Sequence, residues 1–500
     1  MYLGLDIGTT TLKAAAYDAR RGRRLAHASI PLALRTDATG RREQDPAALV
    51  AALTTVLATV RRRCGRRWST LQGIGLAAQG GSTLVVDRAT GRPHSPLILW
   101  NDTRAFAHFH RLAATLPPHW WRSFSRRDEP AMGLARACWL RDRNPRLLEG
   151  DRLLVGLGEY VFFLLTGLWR QDPCHALQSG CYDGPGNRLT TRPLRRLGLA
   201  PTLAAPLRSG HDPQPGSAAA ARRFALPAGV PVAGPYNDHE AGFASILHAS
   251  ARPLAASLGT AWVGNFALAD ASRGRSPFQL CVPAPDGNGC QVIQPLMTGN
   301  VTLEWAEANL LDATPGRAEA HRGAVLRRQL LPPAGLTALP WLNRPHPLKP
   351  SVIGGAGFFG AGPATTREDL YRALAAGMVF EFGRVFAPVR EGRAVDSLVL
   401  CGGRAASPAL RALFAAVWVP HPVFAVVEPA FMGTRGALLA FDRQLARASV
   451  APVDRSRLPE VGAIEAAREL YHAAFTRFCG QVPAGAAYQL LPPPRPSSAP

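Results

Sequence analysis

The stretch YLGLDIGTTTLKAAAYD, residues 2–18, decides the fold. A short apolar run ends near Asp6, a glycine and three threonines (Thr9–Thr11) follow, and a second apolar run begins. Apolar runs of this length on either side of a glycine predict two strands joined by a turn. A turn that only joins strands needs neither a carboxylate nor three hydroxyls. We therefore interpret this turn as part of a site that holds phosphates beside a metal ion.

The same pattern recurs in the second half of the chain. LGLDIGTTTLKAAAYD (3–18) aligns with LAASLGTAWVGNFALA (254–269), so that Gly8-Thr9 matches Gly259-Thr260 at a separation of half the chain. We interpret the repeat as two related lobes that each begin with a strand-turn-strand unit, and a chance match of one short stretch is the alternative. Asp6 aligns with Ser257, so only the first lobe has a carboxylate at its turn.

Length and composition favour a two-lobed globular protein. A chain of 500 residues is too long for one ordinary core, and 47% hydrophobic with 18% charged residues is typical of globular proteins. The formal charge of +22 comes almost entirely from arginine. Because the arginines are scattered, we attribute the charge to compositional bias rather than to nucleic-acid or anionic-surface binding.

Cysteine usage and the N-terminal sequence bear on the compartment. The eight cysteines include no C-x-x-C pair and lie apart from histidines, so neither a zinc site nor a disulfide framework is predicted. Met1 leads directly into the first strand, which leaves no room for a signal peptide. The most apolar stretch, 153–169, contains Glu159 and is predicted to be a buried helix rather than a membrane span. We expect a cytoplasmic, reduced protein.

Strand and helix patterns alternate along the chain, which predicts an α/β fold. Helices are predicted at 46–63, opened by a proline, and at 367–386 and 407–418; strands are predicted at 71–80, 82–87, 97–100 and 397–403. The Pro/Ser-rich tail, 491–500, is predicted to be disordered.

The chemistry-bearing motifs are glycine turns and one aspartate. The chain has neither a P-loop nor a strand–G-x-G-x-x-G–helix unit, so phosphate binding must come from turns such as 6–13, 257–260 and 401–407. In PVAGPYNDHEAGFAS (231–245), Asp238 follows an apolar strand and precedes small residues. On local sequence alone, a helix N-cap and a general base are equally supported roles for Asp238.

The chain resembles the FGGY carbohydrate kinases, the family of xylulokinase, gluconokinase and glycerol kinase. The resemblance extends over residues 2–445, and the stretches that carry it are GLDIGTTTLKAAAYD (4–18), EQDP (43–46), GIGLAAQGGSTLVVD (73–87), LILWNDTRA (97–105), AGPYNDHEAG (233–242), SLGT (257–260), MTGNVTLEWAEANL (297–310) and CGGRAASPALRALFAAVW (401–418). It implies a two-lobed actin-like ATPase (ribonuclease H-like) α/β fold with the active site in the interlobe cleft. The implied domains are an N-terminal lobe (1–248), a C-terminal lobe (249–446) and a C-terminal extension (447–500).

The resemblance also implies an activity: transfer of the γ-phosphoryl group of MgATP to a hydroxyl of a sugar or polyol, with ketoses favoured. Asp238 matches the catalytic base and Asp6 the catalytic carboxylate that holds Mg²⁺. The implied ATP-binding residues are Thr9, Thr10 and Lys13 in the first phosphate loop, Gly259 and Thr260 in the second, and Gly299, Gly402 and Gly403 around the nucleotide. The implied substrate-binding residues are Gln79, Gly80, Gly81, Trp100, Asn101, Asp102 and Asp238.

Four departures from the family pattern concern substrate and nucleotide. Xylulokinases usually read Gln-Met-His-Gly at 79–82, where this chain reads Gln-Gly-Gly-Ser. We expect the two glycines to leave space and no polar group except backbone, and hence a substrate larger than, or differently substituted from, D-xylulose. Arg136 stands in place of a signature lysine, Arg404 in place of a third glycine, and one extra residue separates Gly234 from Asp238.

Three other functional classes are weighed against a kinase. A catalytically weak pseudokinase with a regulatory role is opposed by the retention of both Asp6 and Asp238. An actin-like filament or chaperone ATPase lacks support from the EQDP and LWNDTR stretches (43–46 and 99–104). A nucleic-acid binder would rest on net charge alone. The partners we predict are a small-molecule sugar or polyol and no nucleic acid or membrane, with a homodimer as one open oligomeric state.

Overall fold

The computed structural model describes residues 1–208, 210–269, 279–296, 298–311, 318–341, 356–456 and 458–480. It contains two compact units. The first unit comprises Met1–Ser245, Leu280–Gln291 and Phe431–Ala448, and the second comprises Ile246–Gln279, Val292–Ala430 and Ser449–Pro500. Two short segments, Leu280–Gln291 and Phe431–Ala448, thus pack with the first unit although they lie far along the chain. The tail predicted to be disordered lies outside the described residues.

The strands lie in both units and are numbered in chain order. They are β1 (Tyr2–Ile7), β2 (Thr11–Tyr17), β3 (Arg24–Pro31), β4 (Arg35–Thr36), β5 (Arg42–Gln44), β6 (Gly73–Ala78), β7 (Leu84–Asp87), β8 (Leu97–Ile98), β9 (Arg152–Val155), β10 (Tyr182–Asp183), β11 (Arg188–Leu189), β12 (Gln214–Pro215), β13 (Pro231–Asn237), β14 (Pro253–Leu258), β15 (Trp262–Leu268), β16 (Leu280–Pro283), β17 (Cys290–Pro295), β18 (Thr337–Pro340), β19 (Ala356–Phe359), β20 (Ser397–Cys401), β21 (Val423–Val426) and β22 (Val450–Pro452).

The α-helices are numbered in the same way. They are α1 (Pro46–Cys64), α2 (Phe106–Thr115), α3 (Pro118–Ser125), α4 (Met132–Arg143), α5 (Leu157–Thr166), α6 (Pro173–Ser179), α7 (Arg192–Arg196), α8 (Ala218–Phe224), α9 (Asp238–Ala244), α10 (Asn300–Leu310), α11 (Ala318–Arg328), α12 (Arg367–Glu391), α13 (Pro408–Val417), α14 (Met432–Gly436) and α15 (Val461–Gly480). The alternation of strands and helices confirms the predicted α/β class.

The main sheet of the first unit has the order β12-β13-β6-β1-β2-β3. β1, β2 and β3 form an antiparallel meander, and β6 and β13 extend it as parallel strands. Because β1, β6 and β13 are parallel, their carboxyl ends lie at one edge of the sheet. That edge carries Asp6, Gln79 and Asp238, which are distant in sequence.

The second unit repeats this arrangement. β14 pairs antiparallel with β15 and parallel with β20, which pairs parallel with β21. Each unit therefore begins with an antiparallel pair joined by a Gly-Thr turn and adds parallel strands beside the first strand of that pair. The internal repeat predicted from the sequence is confirmed as a repeat of topology.

The core of the first unit forms between the main sheet and helix α1. Asp45 caps α1 by accepting a hydrogen bond from the Ala47 N–H, and Pro46 opens it, so the helix begins where the proline predicts. Its buried face presents Leu49, Leu53, Val56, Leu57 and Val60, at helical spacing, to the apolar face of the sheet. Burial of each such side chain stabilises the fold by about 1.5–3 kcal/mol.

The apolar stretch 153–169 differs from its prediction. Its first residues belong to strand β9, and the helix, α5, covers only Leu157–Thr166. Glycine explains the break, because the Gly156 N–H donates to the Glu159 carboxylate at 2.8 Å and so begins the helix there. Within the described ranges, no helix has the length and apolarity needed to cross a membrane.

Candidate active site

The turn between β1 and β2 positions the first group of predicted site residues. The Gly8 N–H donates to the Thr11 carbonyl at 3.0 Å and closes the turn. Asp6 and Lys13 are direct cross-strand partners, with 4.0 Å between the Lys13 Nζ and the Asp6 Oδ2. The register of two antiparallel strands thus holds a carboxylate and an ammonium group side by side.

Asp6 occupies an unusual electrostatic position. Burial raises the pKa of its carboxyl to about 6, while Lys13 lowers it and the nearby Asp238 raises it. Gly433 at the start of α14 lies against this carboxylate, since a Cβ on Gly433 would come within 2.7 Å of Asp6 Oδ2. A glycine at 433 therefore keeps open the space next to the Asp6 carboxylate.

Asp238 lies at the first position of helix α9 and does not cap it. The preceding residue, Asn237, is the N-cap, because its Oδ1 accepts a hydrogen bond from the His239 N–H at 3.0 Å. Asp238 Oδ1 accepts from the same N–H at 2.9 Å and remains half-buried at the helix start. Since Asn237 serves as the cap, the N-cap role proposed for Asp238 as one alternative is wrong.

A bulge absorbs the extra residue between Gly234 and Asp238. The register of β13 on β6 shifts between Ala233 and Tyr236, and after the shift Asn237 pairs with Ala78. Gly234 adopts φ +104°, which favours glycine at the bulge. The insertion therefore ends before Asp238, which follows directly from a regular part of the sheet.

Thr9 belongs to the sugar-side wall in this structure. Its hydroxyl donates to Gln79 Oε1 at 2.8 Å and accepts from the Trp100 indole N–H at 3.1 Å. Its carbonyl accepts from Gln44 Nε2 at 2.7 Å. The neighbouring Thr10 is exposed. Of the two threonines predicted to bind phosphate, Thr9 is held by three side chains of the wall and Thr10 faces solvent.

The space beside Gly80 and Gly81 is occupied by a polar side chain. A Cβ on Gly80 would lie 2.3 Å from Gln178 Oε1 and 2.4 Å from Asn237 Nδ2. A Cβ on Gly81 would lie 3.2 Å from Gln178 Nε2. The expectation that the two glycines leave a wall with only backbone polar groups is therefore wrong. Gln178, which is nearly a hundred residues away in sequence, supplies a carboxamide there.

Asp102 serves to hold the wall together. Its two oxygens accept hydrogen bonds from the Arg42 N–H at 2.8 Å, from the Arg104 N–H at 3.0 Å and from the Arg104 guanidinium at 2.7–3.0 Å. The same guanidinium pairs with Glu43 of the EQDP stretch at 2.5 Å. Asp102 is buried, whereas its neighbour Asn101 has a buried Oδ1 that no described residue contacts by a hydrogen bond.

Arg136, which replaces the signature lysine, is buried behind the same wall. Its guanidinium donates to the carbonyl of Gly81 and, at 2.7 Å, to the carbonyl of Trp100. Burial lowers the pKa of Arg136 to about 10, so it remains charged at neutral pH. A planar guanidinium can bridge two carbonyls, and here it fixes the backbone of both segments of the wall.

The predicted nucleotide-side glycines meet in the second unit. A Cβ on Gly299 would lie 2.1 Å from the Thr260 carbonyl, and one on Gly402 would lie 2.9 Å from the Leu258 backbone. The Asn300 N–H also donates to the Gly259 carbonyl at 3.1 Å. Three turns that are far apart in sequence thus pack backbone against backbone, which only glycine permits at 299 and 402.

Arg404 is directed away from a glycine's usual role. Gly403 begins a short 3₁₀-helix, and a Cβ on it would contact nothing within 4 Å. The Arg404 guanidinium pairs with Glu307 on α10 at 2.6 Å, and Arg322 binds the same carboxylate at 3.3 Å. Arg404 therefore ties the third turn to α10.

Sequence reasoning missed several residues that shape the site: Gln44, Glu43, Arg104, Gln178, Asn237 and Gly433. Their contacts join segments separated by tens to hundreds of residues, so no local pattern marks them. The motif EQDP, which contains Glu43 and Gln44, is the one signal that pointed to this region.

Comparison with known proteins identifies the family. Residues 1–244 match the N-terminal domain of the FGGY family of carbohydrate kinases. The chain belongs to this family. It is 38% identical to apulose kinase of Pectobacterium atrosepticum over 103 residues, 21% of this chain and 20% of that protein. It is 26% identical to xylulose kinase of Streptomyces rubiginosus over 205 residues, 41% of each. The alignments thus span less than half the length of these two curated relatives.

The fold of this FGGY protein is shared with solved structures. The crystal structure of xylulose kinase from Rhodospirillum rubrum superposes with a TM-score of 0.83 at 21% identity, over 96% of this chain and 98% of that one. The predicted actin-like ATPase fold is therefore confirmed.

The residues at the β1–β2 turn fit a hydrated Mg²⁺ ion. Magnesium in phosphate-transfer sites is held by one or two carboxylates together with phosphate oxygens and water. Asp6 is such a carboxylate, Asp238 is near enough to influence its pKa, and Gly433 leaves space beside it. In the second unit, the glycine turns expose backbone in the way that phosphate cradles require.

Proposed function

We propose that this protein is an ATP-dependent carbohydrate kinase, which transfers the γ-phosphoryl group of MgATP to a hydroxyl of a sugar or polyol, with ketoses as the favoured class. The observation that carries the proposal is the convergence of Asp6, Lys13 and Asp238 at the carboxyl edge of the first sheet. Membership of the FGGY family supports the same reaction. Three charged side chains at the ends of parallel strands are typical of a catalytic edge in α/β folds.

Asp238 is the proposed general base. It is half-buried, follows a capped helix start, and carries no strong ion pair that would occupy it in the described part of the chain. The carboxylate accepts the proton of the substrate hydroxyl while the hydroxyl oxygen forms a bond to the γ-phosphorus. The bond from that phosphorus to the bridging oxygen breaks, and ADP leaves with the electron pair.

Asp6 and Lys13 are the proposed ligands of metal and phosphate. Bound Mg²⁺ neutralises the charge that develops on phosphate oxygens, and Asp6 would hold it. Lys13 would place an ammonium group beside the same phosphates. We further propose that the turns at Gly259-Thr260, Gly299 and Gly402-Gly403 bind the remainder of the nucleotide through backbone N–H groups.

The sugar-side wall supplies the acceptor site in this proposal. Gln79, Gly80, Gly81, Trp100 and Asn101 line it, while Asp102 and Arg136 hold its backbone in place. Half-exposed Trp100 offers an apolar face of the kind on which the carbon skeleton of a sugar can pack. Water is excluded from such a wall when substrate binds, which limits hydrolysis of ATP.

An ATP-consumption screen tests the function. Purified protein is incubated with MgATP and a panel of ketoses, polyols and sugar acids, and ADP release is measured by a coupled assay. We expect one class of carbohydrate to accelerate ADP release by orders of magnitude over the buffer rate and to yield a phosphate monoester detectable by ³¹P NMR. If no carbohydrate in the panel accelerates ATP consumption, the proposed function is wrong.

A further inference from the structure

The carboxamide of Gln178 lies where the side chain of residue 80 would otherwise be. Its Oε1 is 2.3 Å from the position of a Cβ on Gly80, and its Nε2 is 3.2 Å from that of a Cβ on Gly81. One side chain from helix α6 thus covers both glycines of the wall. Asn237, the cap of the helix that begins with Asp238, borders the same space.

The oxygen of this carboxamide has an unused hydrogen-bonding capacity. Gln178 Oε1 is buried and accepts no hydrogen bond from any residue in the described ranges. The Oδ1 atom of Asn101, next to Trp100, is in the same condition. Buried acceptors without a partner cost about 1–3 kcal/mol each, so a structure retains them where a ligand or solvent supplies the missing donor.

Helix α6 holds Gln178 rigidly. Asp172 caps the helix by accepting from the His175 N–H at 2.9 Å, and Gly180 ends it with φ +86°. A Cβ on Gly133 of α4 would lie 2.5 Å from the Ser179 Cα, so the two helices touch through their backbones. Gln178 therefore projects from a well-supported helix end, as a specificity-determining residue requires.

The charges near Gln178 are already paired within the wall. Arg136 donates to two backbone carbonyls, and Arg104 is bound by Asp102 and Glu43. Neither guanidinium is available to a carboxylate ligand, and Gln178 is neutral. A polyhydroxylated neutral ligand matches this environment, because one hydroxyl can donate to the carboxamide oxygen while a second accepts from its nitrogen.

We propose that Gln178 is a substrate-binding residue that determines specificity, replacing the side chains absent at Gly80 and Gly81, and that it selects neutral sugars and polyols over sugar acids. The proposal rests on the carbohydrate kinase function proposed above. A site built to hydrogen-bond a substrate hydroxyl rejects analogues that lack the hydroxyl, because its own polar group is then left unpaired. Gln178 thus provides discrimination that the two glycines cannot.

The first test compares Gln178→Ala with Ser179→Ala, a control at the neighbouring position of the same helix. For the best substrate of the wild type, we expect Gln178→Ala to lower kcat/KM roughly 10- to 100-fold, mainly through KM. Binding of a nonhydrolysable ATP analogue should be unchanged, and Ser179→Ala should stay within about threefold of wild type. Unchanged KM and unchanged rank order of substrates in Gln178→Ala would overturn the proposal.

A second test uses the shared space. Gly80 has an ordinary φ, so Gly80→Ala is compatible with the backbone and collides only with the side-chain ends of Gln178 and Asn237. We expect Gly80→Ala to raise KM in the wild-type background and to have a much smaller effect in the Gln178→Ala background. Equal effects in both backgrounds would show that the two positions are independent and would contradict the proposal.

Calorimetric titration with the same sugars separates failure of this inference from failure of the proposed function. A wild-type protein that binds a neutral sugar but does not phosphorylate it refutes the kinase proposal, and loss of that binding in Gln178→Ala still supports the role of Gln178. A wild type that phosphorylates or binds sugar acids in preference to neutral sugars refutes the selection proposed here. A wild type that binds no carbohydrate refutes both.

Discussion

Two Gly-Thr turns, one in each unit, have related backbones and different side chains. In the first unit, Ile7 pairs with Leu12 across a four-residue turn, and Asp6 faces Lys13. In the second unit, Leu258 pairs with Trp262 across a three-residue turn, and Ser257 faces Val263. The sequence repeat therefore changes register by one residue within the turn, which an alignment at constant offset does not reveal.

The difference shows how a repeated fold divides labour. The first turn brings charged side chains to the strand ends, where Asp6 has a pKa near 6 because of burial. The second turn has no charged side chain, and glycines at 299 and 402 pack against its backbone. Backbone geometry is retained by both copies because the same strand pairing forms each of them, while the side chains are free to differ. We infer that the first copy provides acid–base and metal chemistry and the second provides a backbone cradle.

The largest effect is expected for the base of the first unit. Asp238→Asn retains the size of the side chain and removes its proton-accepting capacity, so kcat should fall by roughly 10²-fold or more with nucleotide binding nearly intact. Steady-state kinetics and calorimetry on the best substrate measure both quantities. Asp18→Asn, on an exposed turn of the same unit, is the control. A variant that retains most of its kcat would remove Asp238 from the mechanism.

The two turns are compared directly by Asp6→Ala and Ser257→Ala. Asp6→Ala should lower turnover roughly 10²-fold at limiting Mg²⁺, with partial recovery at high Mg²⁺, because it removes the proposed metal ligand. Ser257→Ala, at the equivalent position, should change turnover by less than about threefold. Measuring rates over a Mg²⁺ titration tests the difference. Equal losses in the two variants, or normal activity of Asp6→Ala at low Mg²⁺, would break the comparison.

The smallest effect concerns Lys13 and pH. A protonated Asp6 cannot hold a cation, so apparent Mg²⁺ affinity should fall as the pH is lowered through about 6. Because Lys13 lowers the pKa of Asp6, Lys13→Met should move this acid limb to higher pH and lower turnover at pH 8 by roughly tenfold. Lys13→Arg retains the charge and should retain the limb. An acid limb that stays in place in Lys13→Met would assign it to another group.

Much of the fold was predictable because local patterns decide it. Helix α1 begins at the predicted proline, and α12 and α13 lie where their apolar periodicity places them. The failure at 153–169 has a local cause: Gly156 and Glu159 begin a helix within an apolar run that reads as one element. The segments 280–291 and 431–448 pack with the first unit through contacts that no local pattern announces.

The site shows the same division. Asp6, Lys13 and Asp238 were found because they lie in or next to recognisable turns, and their roles remain predictions for the experiments above. The polar group of the sugar wall was missed because Gln178 reaches Gly80 only after α6 packs on α4. Gly81 further illustrates the limit, since its φ of +73° makes any side chain there strained, whereas Gly80 has no such constraint.

The amino-acid sequence determines the strand-turn-strand unit, its repetition and the carboxylates at the turns, because strand propensity, glycine turns and side-chain identity are local properties. Tertiary structure decides which distant groups meet: the Asp6–Lys13 pair through strand register, Gly433 beside Asp6, and Gln178 over Gly80. Hydrogen bonds and van der Waals contacts act over a few ångströms, so residues that are a hundred or more positions apart interact only after packing has brought their elements together.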